Sequence, residues 1–360
     1  MQRLIRIFLI NLGFIVGGLI LAELIFGNWI FGPDYSVLNV PRNETRYFDV
    51  SEFIKPGKVA TYTRDEHGLR GTYGGDPAEI DVLVVGGSTT NERFLHDQET
   101  WVAQLQERFK ASGKDLRIIN AAVDGQSTRG HIKAFDLWFL NIPGLKPKFV
   151  IAYVGINDVA VGADRNKFDE MQSPDAFRQM RQYIMNHSIL YNQFRRIRGS
   201  FVAQRTRLMH GGNAHRTGVW IPVTDWVDQE ALREEKAQAL RNYQLRLRTL
   251  TSRIKRFGAK PIYVTQRRGD YRFVDGELEV LVQPDQVTDT FKPSDRTLAV
   301  MSLFNEMTLS ICAEMKLTCI DLDGDIELGG RDFYDAVHTM PSGSAKVADF
   351  LHERLKGVLR

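Results

Sequence analysis

Short apolar runs alternate with amphipathic, helix-patterned segments from residue 81 to the end of the chain. Runs this apolar are typical of strands buried on both faces, and such strands joined by helices form a parallel sheet. We therefore predict a three-layer α/β/α domain built on a five-stranded parallel sheet. The predicted strands are residues 81–86, 116–121, 149–154, 261–266 and 317–322.

The start of the chain has a different pattern. Two arginines precede an almost wholly apolar run over residues 7–26, interrupted by Asn11 and Glu23. About 20 such residues suffice to cross a bilayer as a helix. Because the basic residues lie before the run, the positive-inside bias predicts a cytoplasmic stretch at 1–6 and export of the remainder. We expect one transmembrane anchor at 7–27 in the inner (cytoplasmic) membrane, with the domain on the periplasmic or extracellular side.

Two other interpretations of this apolar segment stay open. A cleavable signal peptide shares the basic start and the apolar run, and a buried core helix is the third possibility. A small-x-small cleavage site does not follow the run, because Leu21-Ala22-Glu23 is a poor match. We favour the uncleaved anchor.

The rest of the chain divides into a cap and a domain with insertions. Residues 28–80 are rich in Gly, Pro, Asp and aromatic side chains without clear periodicity, and we interpret them as a linker and cap. The α/β domain then spans 81–360. Residues 160–260 form a mostly helical insertion that ends in a charged, solvent-facing helix. Residues 267–296 are predicted to be a polar loop over the functional site.

Composition and charge exclude one class of partner. The apolar fraction of 43% and the charged fraction of 25% are those of an ordinary globular protein. A net charge of +3 is too small to indicate nucleic acid. Residues 176–216, however, contain eight arginines and no Asp or Glu. This stretch is either a solvated basic face or a contact for anions, namely lipid headgroups or an acidic glycan.

The two cysteines, Cys312 and Cys319, lie on either side of a predicted helix-to-strand junction. The helix is expected to end near Met315 and the strand to begin near Thr318. An oxidising compartment would allow the two to pair. We favour two buried thiols over a disulfide, and we predict neither a metal site nor a cofactor.

Polar residues or glycines follow four of the predicted strands. Ser88 follows the first strand, Gly125 the second and Asn157 the third, while Asp335 and His338 come after the fifth. In open parallel sheets, ligands bind outside the carboxyl ends of the strands, so these segments converge on one edge. A hydroxyl, an imidazole and a carboxylate are the nucleophile, base and orienter that acyl transfer through a covalent intermediate requires.

Each segment alone also has a plain structural explanation. A strand-to-helix turn with a capping hydroxyl explains residues 86–89, and ordinary turns explain Gly125 and Asn157. An isolated histidine such as His338 is more often a satisfied surface or core residue than a catalytic base. A Gly-x-Ser-x-Gly elbow is excluded, because Thr90 stands where its last glycine should be.

Taken together, the four segments resemble the SGNH (GDSL-type) hydrolase family. Its four blocks are matched in the same order by Gly86-Gly87-Ser88, Gly125, Gly155-Ile156-Asn157-Asp158 and Asp335-Ala336-Val337-His338. The resemblance covers about residues 80 to 358 and implies a flavodoxin-like fold. Gly87 departs from the pattern, because the family usually has an aspartate at this position.

The resemblance implies a role for each matched residue. Ser88 would be the nucleophile, and His338 the general base that takes its proton. Asp335 would orient His338 and stabilise its imidazolium form. The backbone N–H groups of Ser88 and Gly125 and the side-chain amide of Asn157 would form the oxyanion hole, which is usually the largest catalytic contribution.

Membrane-anchored, outward-facing members of this family resemble enzymes that add or remove O-acyl groups on cell-surface polysaccharide. We therefore expect a serine esterase or acyltransferase that acts on O-acyl, in particular O-acetyl, groups of cell-envelope or extracellular polysaccharide through an acyl-serine intermediate. The expected partners are an acylated carbohydrate or another ester, and the lipid bilayer. The alternatives are a lipase or thioesterase acting on lipids, and a catalytically silent glycan-binding component of an export system.

Overall fold

The computed structural model describes residues 2–30, 40–71, 74–161, 169–170, 175–191, 193–194 and 218–359. The first element is the helix α1 (Gln2–Phe26), and none of its described residues is buried. After α1 the elements are β1 (Glu44–Asp49), β2 (Val59–Arg64), β3 (Val82–Gly86), α2 (Ser88–Asn91), α3 (Trp101–Ala111), β4 (Ile118–Asn120), α4 (Thr128–Leu137), β5 (Phe149–Tyr153), α5 (Ala176–His187), β6 (Val219–Pro222), α6 (Gln229–Arg256), β7 (Lys260–Val264), β8 (Tyr271–Val274), β9 (Glu277–Val282), α7 (Arg296–Met315), β10 (Thr318–Ile320), α8 (Leu322–Asp325) and α9 (Pro341–Leu355).

The central sheet is five-stranded and parallel, as predicted, with the strand order β10-β7-β5-β3-β4. The chain begins the sheet at β3, adds β4 on one side and then crosses to add β5 on the other. The strand order therefore reverses between β3 and β5. In open α/β sheets this reversal opens a crevice at the carboxyl ends of the two strands, where ligands bind.

Helices cover both faces of the sheet, which confirms the three-layer prediction. Leu83 and Val85 of β3 belong to the core formed with α4, α6 and α7, whereas Val82 and Val84 belong to the core formed with α3 and α9. All four side chains are fully buried. Because successive residues of a strand point to opposite faces, only an unbroken apolar run can supply both cores.

A hairpin precedes the sheet within the segment predicted to be a linker and cap. Strands β1 and β2 pair antiparallel, and the chain then returns to the sheet, where the Arg70 N–H donates to the Asn120 carbonyl at 2.8 Å. The buried Arg64 guanidinium donates to Asn91 Oδ1 in α2 at 2.8 Å. The hairpin is thus tied to the short helix that follows β3.

A second, antiparallel sheet corrects the prediction of a polar loop at residues 267–296. Strands β8 and β9 form a hairpin there, and β6 pairs with β9 from within the insertion at 160–260. Val223, Tyr271 and Leu278 belong to the small apolar core of this sheet. A loop in this region would have left these side chains exposed.

Within residues 160–260, where a mostly helical insertion was predicted, the structure describes the helices α5 and α6 and the strand β6. Arg178 and Arg181 of the arginine-rich stretch lie on α5. Its other six arginines, from Arg195 onward, fall outside the described residues.

The end of α1 contacts the end of α5. Glu23 in the last turn of α1 accepts hydrogen bonds from Ser188 Oγ at 2.6 Å and from Trp29 Nε1 at 2.7 Å. The Asn28 N–H donates to the His187 carbonyl at 2.8 Å. The carboxylate of Glu23, the single acidic side chain of this apolar helix, thus has hydrogen-bond partners.

Cys312 and Cys319 form a disulfide, so the preference for two thiols was wrong. Helix α7 ends at Met315 and β10 begins at Thr318, as predicted. The left-handed residue Lys316, at φ 52°, turns the chain between them and leaves the two Cα atoms 6.1 Å apart. This separation is within the range that a disulfide spans.

Candidate active site

Ser88 begins α2, directly after β3 and beside the reversal point of the sheet. Gly87 holds the N-cap position of this one-turn helix, and its cap has no side-chain hydrogen bond. The Ser88 hydroxyl therefore does not serve as the cap that the sequence also allowed. It lies instead 2.7 Å from His338 Nε2.

Asp335 completes a continuous hydrogen-bonded chain with His338. His338 Nδ1 lies 2.7 Å from Asp335 Oδ2, and Asp335 Oδ1 accepts the backbone N–H groups of Val337 and His338 at 2.9 and 2.8 Å. Burial raises the pKa of the Asp335 carboxyl, but the bonds and charge from His338 and the two backbone N–H groups outweigh it and lower the pKa below 3.8. A carboxylate at Nδ1 holds the proton there and leaves Nε2 free to accept one from Ser88.

The Asp335 and His338 side chains lie on a short loop whose two ends are held together by backbone pairing. Phe333 and Thr339 form an antiparallel bridge across its neck, and the Tyr334 N–H donates to the His338 carbonyl at 3.0 Å. The Tyr334 ring stacks on the His338 ring, with centroids 5.5 Å apart and planes 9° from parallel. Backbone pairing and stacking together restrict the imidazole to the orientation that faces Ser88.

The three donors implied for an oxyanion hole come from the ends of β3, β4 and β5. The N–H groups of Ser88 and Gly125 donate to no other residue in the described part of the chain. Gly125 has φ 73°, a left-handed conformation that glycine adopts without strain. Asn157 Nδ2 donates to the Gln126 carbonyl at 2.9 Å, which holds the side-chain amide beside the Gly125 turn.

Gly87, where the family usually has an aspartate, lies against this amide. A Cβ added at residue 87 would stand 2.2 Å from Asn157 Nδ2, closer than any real contact allows. The Asn157 amide therefore occupies the space that a side chain at residue 87 would need. The sequence showed the departure from the pattern but not this reason for it.

Glu92 is a site residue that the sequence analysis missed. It is 3% exposed, and its carboxylate accepts hydrogen bonds from Thr339 Oγ1, Ser344 Oγ and the Trp101 N–H. Burial raises the pKa of Glu92 to about 7, against the opposing effect of these bonds and of Arg70. Because Thr339 follows His338 directly, this carboxylate joins the Ser88 turn to the base-bearing loop.

Asp158, the last residue of the third matched block, supports the site from behind. The residue is 2% exposed, and its carboxylate accepts hydrogen bonds from the N–H of Thr128 at 3.1 Å and from Nη2 of Arg246 at 3.1 Å. Burial raises the pKa of Asp158 to about 6, while Arg246 and Thr128 oppose the rise. This carboxylate therefore fixes the start of α4 and the turn that carries Asn157, rather than facing the substrate.

The structure thus brings all five predicted site residues to one edge of the sheet. The predicted nucleophile, base and orienter are connected by hydrogen bonds, and the predicted oxyanion donors stand beside them. Among the residues that the structure describes, no group of three or more His, Cys, Asp or Glu side chains has the arrangement of a metal site. The chemistry that this arrangement supports is acyl transfer.

Residues 84–346 match the model of the GDSL-like Lipase/Acylhydrolase family. The match covers most of the chain, so the protein belongs to this family. The family match includes Ser88, Gly125, Asn157, Asp335 and His338 within its bounds.

Individual relatives are more distant. Esterase TesA of Pseudomonas aeruginosa is 33% identical over 81 residues, which are 21% of this chain and 37% of TesA. The chain thus matches little more than a third of that relative's length. The solved structure of esterase EstA from Pseudoalteromonas sp., inhibited by monoethylphosphonate, is 12% identical with a TM-score of 0.40, covering 77% of this chain and 97% of EstA. A catalytic mutant of Axe2, an acetylxylan esterase from Geobacillus stearothermophilus, is 13% identical with a TM-score of 0.41, covering 77% and 94%.

Proposed function

We propose that this protein is a serine-dependent esterase or O-acyltransferase. Its substrates are O-acyl, in particular O-acetyl, groups on cell-envelope or extracellular polysaccharide. The observation that carries the proposal is the chain of hydrogen bonds from Ser88 through His338 to Asp335, both bonds being 2.7 Å long. A serine hydroxyl is a weak nucleophile unless a base accepts its proton during attack, and this geometry supplies that base.

In the first half of the reaction, Ser88 Oγ attacks the ester carbonyl carbon while His338 Nε2 takes the hydroxyl proton. The carbonyl oxygen becomes an oxyanion, which the N–H groups of Ser88 and Gly125 and the Asn157 amide stabilise. The intermediate collapses as the carbon–alkoxide bond breaks. His338 returns its proton to the departing sugar oxygen, and the acyl group stays on Ser88.

In the second half, an acceptor hydroxyl attacks the acyl-serine carbonyl while His338 takes the proton of that hydroxyl. If the acceptor is water, the products are a carboxylic acid and free Ser88. If the acceptor is a sugar hydroxyl, the product is a new ester. Asp335 stabilises the imidazolium in both halves, because its carboxylate stays ionised beside Nδ1.

The extracytoplasmic substrate is supported by α1, whose most apolar window has a mean hydropathy of 2.3. This helix is long and apolar enough to be a membrane anchor or a signal sequence, and none of its residues is buried in the domain. We propose that α1 stays attached as an anchor and that the site faces the periplasmic or extracellular side. Acylated polysaccharide is the ester-bearing polymer that such a location offers.

The test is covalent labelling of the purified full-length chain with a fluorophosphonate. We expect labelling of the wild type, none of Ser88→Ala, and a loss of p-nitrophenyl acetate hydrolysis of at least about 1,000-fold in that variant, since removal of a catalytic serine can cost roughly 10⁶-fold in kcat. An unlabelled wild type without esterase activity would contradict the serine mechanism. Faster hydrolysis of long-chain esters than of acetylated xylan would instead point to a lipase.

A further inference from the structure

A cleft of about 460 Å³ opens beside the catalytic loop. Tyr334 lines it and also stacks on His338, so the cleft begins next to the reacting groups. Phe53 of the cap and Trp220 of β6 form further walls, together with Arg272 of β8 and Arg331. The cleft therefore lies between the cap, the antiparallel sheet and the loop that carries the base.

The aromatic side chains of the cleft hold one another in place. Phe53 packs on Tyr334 with ring centroids 4.8 Å apart. Trp220 lies against the backbone of Gly330, where an added Cβ would stand 2.8 Å from the indole ring. Rigid rings in a concave site bury the apolar faces of a ligand at small entropic cost.

The described lining of the cleft carries positive charge. Among the described residues that line it, two are arginines and none is acidic. Arg272 lies over the Trp220 ring at 4.3 Å and hydrogen-bonds Glu279 at 2.7 Å, so its charge is compensated. Arg331 is exposed, and it makes no hydrogen bond or ion pair within the described part of the chain.

We propose that this cleft binds the carbohydrate part of the ester and that the bound sugar carries a carboxylate. The inference rests on the proposed function and adds to it the class of polysaccharide, an acidic one. A flat indole ring suits the apolar face of a sugar ring, while a free guanidinium matches a carboxylate with two parallel hydrogen bonds. A fatty acyl chain would instead require an apolar channel without unpaired cations.

The test compares acetylated oligogalacturonate with acetylated xylo-oligosaccharide, an acidic and a neutral sugar ester. In Arg331→Gln we expect the ratio of kcat/KM for the acidic to the neutral substrate to fall about tenfold, which corresponds to about 1.4 kcal/mol. Trp220→Ala should raise KM for both. Arg256→Gln is the matched control, because Arg256 is an exposed arginine at the opposite edge of the sheet, just before β7.

Calorimetric titration of the full-length chain with deacetylated oligogalacturonate measures the cleft without catalysis. We expect binding by the wild type and by Arg256→Gln, and about tenfold weaker binding by Arg331→Gln. If the chain hydrolyses acetyl esters but Arg331→Gln changes neither oligogalacturonate binding nor the kcat/KM ratio of acidic to neutral substrate, the cleft inference is overturned and the proposed function stands. If oligogalacturonate binds and Arg331→Gln weakens binding, but acetyl esters are not hydrolysed, the cleft stands and the proposed function fails.

Discussion

Gly87 and Asn157 share one small volume at the ends of β3 and β5. Any side chain at residue 87 must displace Asn157 Nδ2, which would lie 2.2 Å from the new Cβ. The displaced group is the end of a side chain, so the cost in stability is small. The cost in geometry is large, because this amide is the proposed side-chain donor of the oxyanion hole.

We predict that Gly87→Ala lowers kcat for p-nitrophenyl acetate about 100-fold, since one oxyanion donor is worth roughly 100- to 1,000-fold. Asn157→Ala should cause a loss of the same order. The double variant should be no slower than Asn157→Ala alone, because both changes act through the same amide. Steady-state kinetics of the three variants measures this.

The matched control is Gly357→Ala, where an added Cβ meets nothing within 4 Å. It should retain wild-type activity. Full activity in Gly87→Ala, or losses that multiply in the double variant, would show that the amide and the glycine are independent.

Glu92 should make stability depend on pH. Its pKa rises from 4.5 to about 7 on folding, so between these values the folded chain binds more protons than the unfolded chain. Folding therefore becomes less favourable as pH rises through this window. Glu92→Gln has no group that titrates at this position, so its stability lacks this dependence on pH. The difference in melting temperature, variant minus wild type, should therefore increase from pH 5 to pH 8. Circular dichroism melts at both values test it, and a difference independent of pH would contradict it.

Sequence reasoning found the triad because its three residues lie in short, strand-linked patterns. Sequence reasoning did not identify Glu92, and the reason is physical. Its partners Thr339 and Ser344 are distant along the chain, and nothing in the residues around Glu92 indicates that its carboxylate is buried. The Gly87 departure was visible, but only the fold shows what fills the space.

At the scale of elements, α4, α6 and the turn after β5 meet at one buried ion pair. The Asp158 side chain is 1% exposed and that of Arg246 12% exposed. Arg246 is the only cation among its hydrogen-bond partners in the described chain. The pair therefore joins the helix that follows the Gly125 turn to the long helix on the same face.

We predict that Arg246→Met destabilises the fold by about 3 kcal/mol, because it leaves a buried carboxylate without its counter-charge. The deficit should be larger at pH 8 than at pH 5. Removing Arg246 raises the pKa of Asp158 further above its value of about 6, and the added cost appears as pH rises through that range.

Urea unfolding at both pH values measures the effect. Asp158→Asn combined with Arg246→Met should recover part of the loss, since the buried charge is gone. Arg233→Met is a suitable control, because Arg233 lies on α6 like Arg246, but its ion pair with Glu306 of α7 is more than half exposed and contributes little. Equal losses at Arg233 and Arg246 would contradict the role of burial.

The five parallel strands were predictable, because short, mostly apolar runs alternate with helix-patterned segments, and β3 and β5 are buried at every residue. The antiparallel sheet was not. Strand β6 is four residues long and pairs with β9 far along the chain, so its local pattern does not distinguish it from a loop. Pairing of this kind is decided by tertiary contacts rather than by periodicity.

For the whole molecule, the orientation across a membrane is the main prediction. If α1 is an anchor, the full-length chain should stay with membranes after carbonate extraction. A phosphatase reporter fused after Arg360 should be active outside the cytoplasm, and a reporter that works only inside should be inactive. A soluble mature chain lacking α1 would indicate a cleaved signal peptide, and cytoplasmic reporter activity would overturn the orientation.

The separation of 250 residues between Ser88 and His338 has a consequence for biosynthesis. The proposed nucleophile, Ser88, is made early, but its proposed base, His338, leaves the ribosome only shortly before α9, which packs on α3 to close that side of the sheet. A nascent or truncated chain therefore holds an unactivated serine. The proposed ester cleavage therefore requires that the first and last parts of the domain have folded together.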